Sequence, residues 1–165
     1  EKENKMRIRN LINRSGLLIL AITCLVLSVQ PSHAATHEVK MYNKDPDNKK
    51  NRMVFVPRII KIQPGDTVKF ISASKGHNTE SIKGMLPAGV EKWKSKIGKD
   101  FELTLDKPGI YGYKCTPHFG VGMVGLIVVD GDNWQANLED AKKAKKVGKS
   151  KKIFKAIWSE LETMK

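Results

Sequence analysis

A chain of 165 residues with 40% hydrophobic content has room for one domain and excludes a second full-sized core. Its formal net charge of +13 is far from balance and implies an anionic counterpart, either nucleic acid or an acidic patch on another protein.

Residues 1–34 read as an export signal, with residues 1–5 ahead of Met6 as an upstream extension that plays no part in the fold. Arg7, Arg9 and Arg14 form a positive region, an apolar run follows from Leu17 to Val29, and Ser32-His33-Ala34 offers the small residues a signal peptidase needs. The processed chain then begins at about Ala35. A membrane anchor is the competing reading, but thirteen apolar residues span only about 20 Å as a helix, against a hydrocarbon core of roughly 30 Å. Cys24 raises the question of a lipid anchor, and Thr23 before it fits that processing site poorly. The segment holds five of the 30 Lys/Arg and two of the 17 Asp/Glu, so the remainder keeps a net charge of +10. It also holds Cys24, which leaves Cys115 alone. A lone Cys in an exported protein has no internal disulfide partner; it is buried, reactive or bound to a metal.

From residue 36 the pattern turns to β structure. His37 to Met41 alternates polar and apolar; Val54-Phe55-Val56 and Ile59 to Ile62 are short strands broken by Pro57. Gln63-Pro64-Gly65-Asp66 is a turn, followed by a strand from Thr67 to Ile71. Lys75-Gly76 leads into a loop holding His77. Residues 83–98, with three Gly, a Pro and Trp93, make a long connection with room for one helical turn. Phe101 to Leu105 alternates, Lys107-Pro108-Gly109 is a turn, and Ile110 to Cys115 is a strand with Tyr111 and Tyr113 on one face. Val124 to Val129 is continuously apolar, as expected of a central strand buried on both sides. Short strands separated by Gly/Pro turns argue for a sandwich or barrel over residues 35–133.

Residues 134–165 contain no Pro and one Gly, and form a helical extension. Leu138 to Val147 and Ser150 to Met164 have helical character, with Ser150 as N-cap of the second. Ile153, Phe154, Ile157, Trp158 and Leu161 make one apolar stripe, expected to fold back on the sandwich; a helix lying on a membrane surface is the alternative.

The segment from Cys115 to Met123 places a thiolate, an imidazole (His118) and a thioether within nine residues, directly between two strands. A loop bridging two strands can aim three side chains at one point, and His77, 38 residues upstream in a Gly-flanked loop, supplies a fourth. Singly, a lone Cys is most often a small buried hydrophobe, a loop His is polar surface and a Met beside a strand is core. Jointly, with no other Cys or His to pair with, they make the blue-copper set: two imidazoles and a thiolate in a plane, with a weak axial Met. Cu(I) favours soft sulfur and Cu(II) favours nitrogen, so a mixed site suits both. Zinc prefers a tetrahedral set and has little use for a thioether. In the surroundings, Asn78 either ties the ligand loops together or hydrogen-bonds near the sulfur. Pro117 has no N–H to donate to that sulfur. Phe119, Gly120, Val121 and Gly122 bring no polar side chain.

At these residues the chain resembles the cupredoxins, the type 1 blue-copper family. The matching stretches are Lys75-Gly76-His77-Asn78, Ile82-Lys83-Gly84-Met85, Pro108 to His118 and Gly122-Met123. The likeness runs from about 37 to 164 and takes in two C-terminal helices that plastocyanin and amicyanin lack, which points to one subfamily. It implies a mainly β fold, an eight-stranded Greek-key sandwich with two C-terminal α-helices, and one mononuclear copper (Cu(I)/Cu(II)) on His77, Cys115, His118 and Met123. It also implies a periplasmic carrier that is no enzyme and passes single electrons to copper nitrite reductase in denitrification, or to another periplasmic oxidoreductase. Lys44, Lys75, Lys94 and Lys114 fall where such proteins carry the lysines that dock a partner transiently. Two departures stand out: Lys44 to Arg52 is longer and more charged than usual, and Lys40 replaces a His that many relatives carry.

The edge of His118 is expected on an apolar patch of Met53, Met85, Pro117 and Gly120, from which electrons leave towards an acidic partner. Three other classes compete. A copper-storage protein would use Met-rich or multi-Cys sites, a copper enzyme would need an open coordination position, and a nucleic-acid binder would carry a base-reading motif. None of these features is present in the sequence.

Overall fold

The computed structural model describes residues 34–164, so the export segment and Cys24 lie outside the described residues, except for Ala34. Eight strands follow in order: β1 (Thr36–Lys44), β2 (Arg52–Val56), β3 (Ile59–Ile62), β4 (Asp66–Ile71), β5 (Glu80–Ser81), β6 (Phe101–Leu105), β7 (Gly109–Lys114) and β8 (Val124–Val129). They form two four-stranded sheets, ordered β2-β1-β4-β6 and β3-β8-β7-β5. β1 and β4 run parallel, as do β3 and β8, and the remaining pairs are antiparallel. Strands adjacent in space but distant in sequence are the Greek-key arrangement of a β-sandwich.

The alternation of β7 and β8 determines what each face does. Tyr111, Tyr113, Ile127 and Val129 point between the sheets, where they meet Val39, Met41, Phe55, Val68 and Phe70. The Tyr113 ring stands edge-on to Phe55 at 4.8 Å and to Phe70 at 5.1 Å, the geometry aromatic quadrupoles favour. The intervening residues Ile110, Val124, Leu126 and Val128 point the other way, into a second cluster with the helices. Every residue of β8 is therefore buried, as its unbroken apolar run predicts.

Two helices cover that second face: α1 (Leu138–Lys143) and α2 (Ser150–Thr163). Phe154, Ile157 and Leu161 of α2 are buried in the cluster. Each such side chain contributes about 1.5–3 kcal/mol relative to exposure. The stripe is thus used against β8, which removes the membrane-surface reading. Asn137 secures the start of α1: its carboxamide accepts from the Ile110 N–H at 2.9 Å and donates to the Ile110 carbonyl at 2.8 Å.

Several expectations need correction. The first helix ends at Lys143, four residues short of Val147, because Ala144 turns extended (ψ 146). Lys146 then folds back and donates to the carbonyls of Lys142 and Ala144 at 2.7 and 2.8 Å, closing the helix end. Ser150 is the first residue of α2 rather than its N-cap; its hydroxyl turns back and bonds the backbone of Val147. Residues 83–98 hold no helical turn. Instead they form a belt whose backbone meets the His77 loop, with Ser95 N–H on Thr79 O at 2.8 Å and Gly98 N–H on His77 O at 2.8 Å.

Candidate metal centre

The alternation that places Tyr111 and Tyr113 inside continues to Cys115, one residue beyond β7, and Met123 stands one residue before β8 with the same inward parity. Both are fully buried in the inter-sheet core. The strands are already paired at Lys114 and Val124, and the ladder extends by one bond, from Cys115 N–H to Met123 O at 3.0 Å. The residues between must turn sharply. His118 N–H bonds Cys115 O at 3.2 Å, and Met123 N–H bonds His118 O at 3.1 Å. That tight loop brings His118 back over Cys115.

His77 enters from the other loop. Gly76 takes a positive φ (+87°), a conformation that costs glycine little, and delivers His77 into the interior, where it is fully buried. Its Nδ1 lies 3.2 Å from His118 Nδ1 and 3.7 Å from Cys115 Sγ, and Cys115 Sγ lies 3.4 Å from His118 Nδ1. Metal bonds of about 2.0 Å to nitrogen and 2.3 Å to sulfur, set in a trigonal plane, would separate these donors by about 3.5 and 3.7 Å. The three donors therefore fit a single ion, all lying within 4.8 Å of one another.

The tautomer supports this. His77 Nε2 is 2.8 Å from the carboxamide oxygen of Asn43 and so carries the proton, which leaves Nδ1 of the neutral ring as a bare lone pair. That lone pair faces His118 Nδ1, an arrangement that needs either a proton or a cation between them. Burial, and then the neighbouring His118, hold His77 below the ordinary histidine range. Burial pushes the Cys115 thiol up, against the opposing N–H groups of Asn78 and His118. A thiolate here requires a positive ion for its stability.

Around the donors, Asn78 is fully buried and joins both ligand loops. Its oxygen accepts from Thr116 N–H at 2.8 Å, and its amide nitrogen donates to Thr116 Oγ1 at 3.0 Å and Ser95 O at 3.3 Å. Thr116 Oγ1 in turn donates to Glu80 Oε2 at 2.6 Å. Pro117 is exposed on the loop.

The surface expectations divide. His118 is half-buried, and beside it Met53, Pro117 and Gly120 reach the surface. Met85 does not. It is fully buried in the second cluster because Gly112, lacking a side chain, leaves the space its thioether fills. The apolar residue that takes its place on the patch is Val121, 52% exposed on the ligand loop. Lys44 and Lys75 are exposed. Lys94 and Lys114 share one carboxylate, with Glu80 at 3.3 and 3.4 Å. Burial raises the Glu80 pKa, but the Thr116 hydroxyl and the two lysines outweigh it, and the carboxyl lies below its usual range.

Sequence reasoning missed Asn43, Glu80 and Val121. Asn43 is 34 residues from His77 and meets it only through the pairing of β1 with β4, for which the sequence carries no local signal. Val121 was legible as an apolar residue in the ligand loop, but not as an exposed one.

Comparison with known proteins agrees with this geometry. The family model of copper binding proteins, plastocyanin/azurin family, matches residues 42–130. Pseudoazurin of Paracoccus pantotrophus is 47% identical over 139 residues, spanning 84% of this chain and 92% of that protein. A putative pseudoazurin of Rhizobium leguminosarum bv. viciae is 50% identical over 128 residues, spanning 78% and 81%. The crystal structure of pseudoazurin from Methylobacterium extorquens AM1 superposes with a TM-score of 0.70 at 40% identity, covering 76% of this chain and 98% of that one.

Proposed function

The chain belongs to the plastocyanin/azurin family of copper-binding proteins, the cupredoxins, and from that membership we propose how its residues carry an electron and where. It is a blue-copper electron-transfer protein with a single type 1 copper, and no enzyme. In the proposed site His77, Cys115 and His118 would hold the ion, and Met123, buried beside them at the end of the same loop, would add its thioether. Copper bound there exchanges one electron between Cu(I) and Cu(II). The observation that carries this assignment is the convergence of the three donor atoms from two loops to within 4.8 Å.

The work of the chain is to keep those donors still. Asn43 fixes the ring of His77, Asn78 binds one ligand loop to the other, and the Cys115–Met123 backbone bond closes the loop at its base. Donors held this way move little between oxidation states, which keeps the reorganisation barrier low. Pro117 brings no N–H to the sulfur, which leaves more charge on it and lowers the potential.

Electrons leave through the edge of His118, on the patch of Met53, Pro117, Gly120 and Val121. Lys44, Lys75, Lys94 and Lys114 steer an acidic redox partner there in a small, transient complex. Residues 1–34 act as the signal that sends the copper domain (35–133) and its helical extension (134–165) to the periplasm, where copper nitrite reductase is the acceptor. The three-part pattern of that segment and the basic charge of the remainder support this reading. Among the described residues no helix is long and apolar enough to cross a membrane.

A visible spectrum of the oxidised, copper-loaded protein tests the site. An intense thiolate-to-copper charge-transfer band is expected, bleached on reduction and absent in Cys115→Ala; a blue band retained in that variant refutes the assignment. The transfer rate to nitrite reductase should fall as salt rises, and a flat profile defeats the steering.

A further inference from the structure

Once residues 1–34 are removed, Ala35-Thr36-His37 opens the protein. A free amine with a histidine two residues later is a chelator in its own right. The terminal nitrogen, the backbone nitrogens of Thr36 and His37, and the imidazole Nδ1 of His37 close three fused rings around one ion. Nitrogen donors in a square plane are the set that Cu(II) and Ni(II) prefer.

Asp66 supports such a site from outside. It is buried at the start of β4, and its two oxygens hold both ends of the tripeptide. Oδ1 accepts from Ala35 N–H at 2.7 Å, and Oδ2 lies 2.8 Å from His37 Nε2. An ionised carboxylate only accepts, so the neutral ring carries its proton on Nε2 and keeps Nδ1 as a lone pair. Nδ1 is the ring nitrogen that reaches an ion held by the backbone nitrogen of its own residue. A ligand histidine whose other nitrogen donates to a carboxylate is the usual arrangement around protein-bound metals. The His37 side chain is 33% exposed, and Ala35 and Thr36 are exposed, so an ion has access from solvent.

The strand end has room to adapt. β2 pairs with β1 only from Lys40 onward, so residues 36–39 have β4 as their one sheet neighbour among the described residues. A planar chelate brings successive backbone nitrogens to one point, which an extended strand does not do. Binding therefore curls Ala35 to His37 away from β4. The pairings of Thr36 and His37 and the Ala35–Asp66 contact are given up, while Glu38 to Lys40 stay paired.

We propose that the processed protein carries a second metal site, a square-planar Cu(II) site built from the Ala35 amine, the Thr36 and His37 backbone nitrogens and His37 Nδ1. Binding releases one proton from the terminal ammonium and one from each of the two backbone N–H groups, and the two amidates balance the charge of the ion. Cu(I) favours soft sulfur, so this all-nitrogen plane holds Cu(II) without cycling. It also stands apart from the type 1 centre. Asn43, the partner of His77, lies six residues further along β1, about 20 Å at the rise of an extended strand. The inference rests on processing at Ala35 and is independent of the electron-carrier reading.

Nickel(II) is the probe, because its planar complexes are yellow and diamagnetic. The protein is expressed with residues 1–34 in place, exported, purified with its type 1 copper, and freed of loose metal by brief chelation that leaves the blue band intact. Its mass should be that of a chain beginning at Ala35. Reduced to Cu(I), it should bind one equivalent of nickel and turn yellow. The backbone N–H resonances of Thr36 and His37 should vanish, while those of Val39 and Lys40 persist. His37→Gln should abolish the yellow complex, and so should selective acetylation of the terminal amine, which leaves every side chain in place. A parent that stays colourless, an acetylated protein that binds nickel equally well, or a first residue other than Ala35 overturns the site. The blue band on reoxidation reports on the type 1 centre separately, so a failure of the second site beside an intact band leaves the electron carrier standing.

Discussion

Asn43 grips the outer nitrogen of His77 at 2.8 Å, while the inner nitrogen of the same ring faces His118 at 3.2 Å and Cys115 at 3.7 Å. One hydrogen bond thus sets both the tautomer and the aim of a buried imidazole. Removing it in Asn43→Ala frees the ring to rotate and lets the proton move to Nδ1, where it competes with the metal. Copper affinity should fall by about 10- to 100-fold, the usual range for such outer partners. A competition titration against a chelator of known affinity checks this. Affinity unchanged within about twofold would mean that packing alone orients His77.

Phe154 tests the other end of the structure. Its ring is fully buried between α2 and the outer face of β8, and it stacks on Trp158 at 5.6 Å. Phe154→Ala leaves a cavity there and should cost about 3–5 kcal/mol in urea unfolding. The blue band should keep its position, because the two clusters lie on opposite faces of the sheet. A shifted band would show that α2 holds the ligand loop through its docked start rather than only covering the sheet.

Much of this was legible from periodicity. Alternation in Phe101–Leu105 and around Tyr111 and Tyr113 places the strands, and the unbroken run Val124–Val129 announces a sheet covered on both faces. The ligand loop is legible because its three donors lie in one short segment, and inward parity extends from Tyr113 to Cys115. What the sequence conceals is anything made by long-range pairing or by a missing side chain. Met85 looks like a surface thioether until Gly112 is seen to leave room for it. Ser150 has the residue type of an N-cap, yet the chain's turn at Val147 claims its hydroxyl. Glu80, in a two-residue strand too short to show a pattern, pairs with two of the docking lysines and offsets part of their charge.

Tyr113 carries a buried hydroxyl that has no hydrogen-bond partner among the described residues, packed over Gly125. Burial holds that phenol far above its usual pKa, so it stays neutral throughout the working range. An orphaned buried polar atom is a liability, and Tyr113→Phe keeps the ring contacts with Phe55 and Phe70 while deleting it. The variant should be more stable by about 1 kcal/mol, with an unchanged spectrum. Chemical unfolding of both proteins decides it. A destabilised variant would mean that an ordered water satisfies the hydroxyl.

Asp66 contributes to the acid sensitivity of the fold, together with Asp45, Glu80 and Asp130, whose carboxyls are also held below the ordinary range. Its carboxylate accepts from the backbone N–H groups of Gln63 at 2.9 Å and Ala35 at 2.7 Å, and lies 2.8 Å from His37 Nε2. These contacts, the Gln63 N–H foremost, hold its pKa below the ordinary carboxylate value. A carboxyl depressed on folding stabilises the protein fully above its unfolded pKa of about 4, and that contribution disappears as pH falls through the lower folded value. Asp66→Asn should therefore melt below the parent at about pH 5, and the gap should close towards about pH 2.5. If processing starts the chain at Ala35, the contact becomes an ammonium–carboxylate pair, and a chain beginning at Ala35 should lose part of its Asp66-dependent stability on N-terminal acetylation. Melting curves of parent and variant, with free and acetylated termini, read both effects. A gap that stays constant down to pH 2.5 would show that the geometry of the turn, rather than the charge, is what Asp66 supplies.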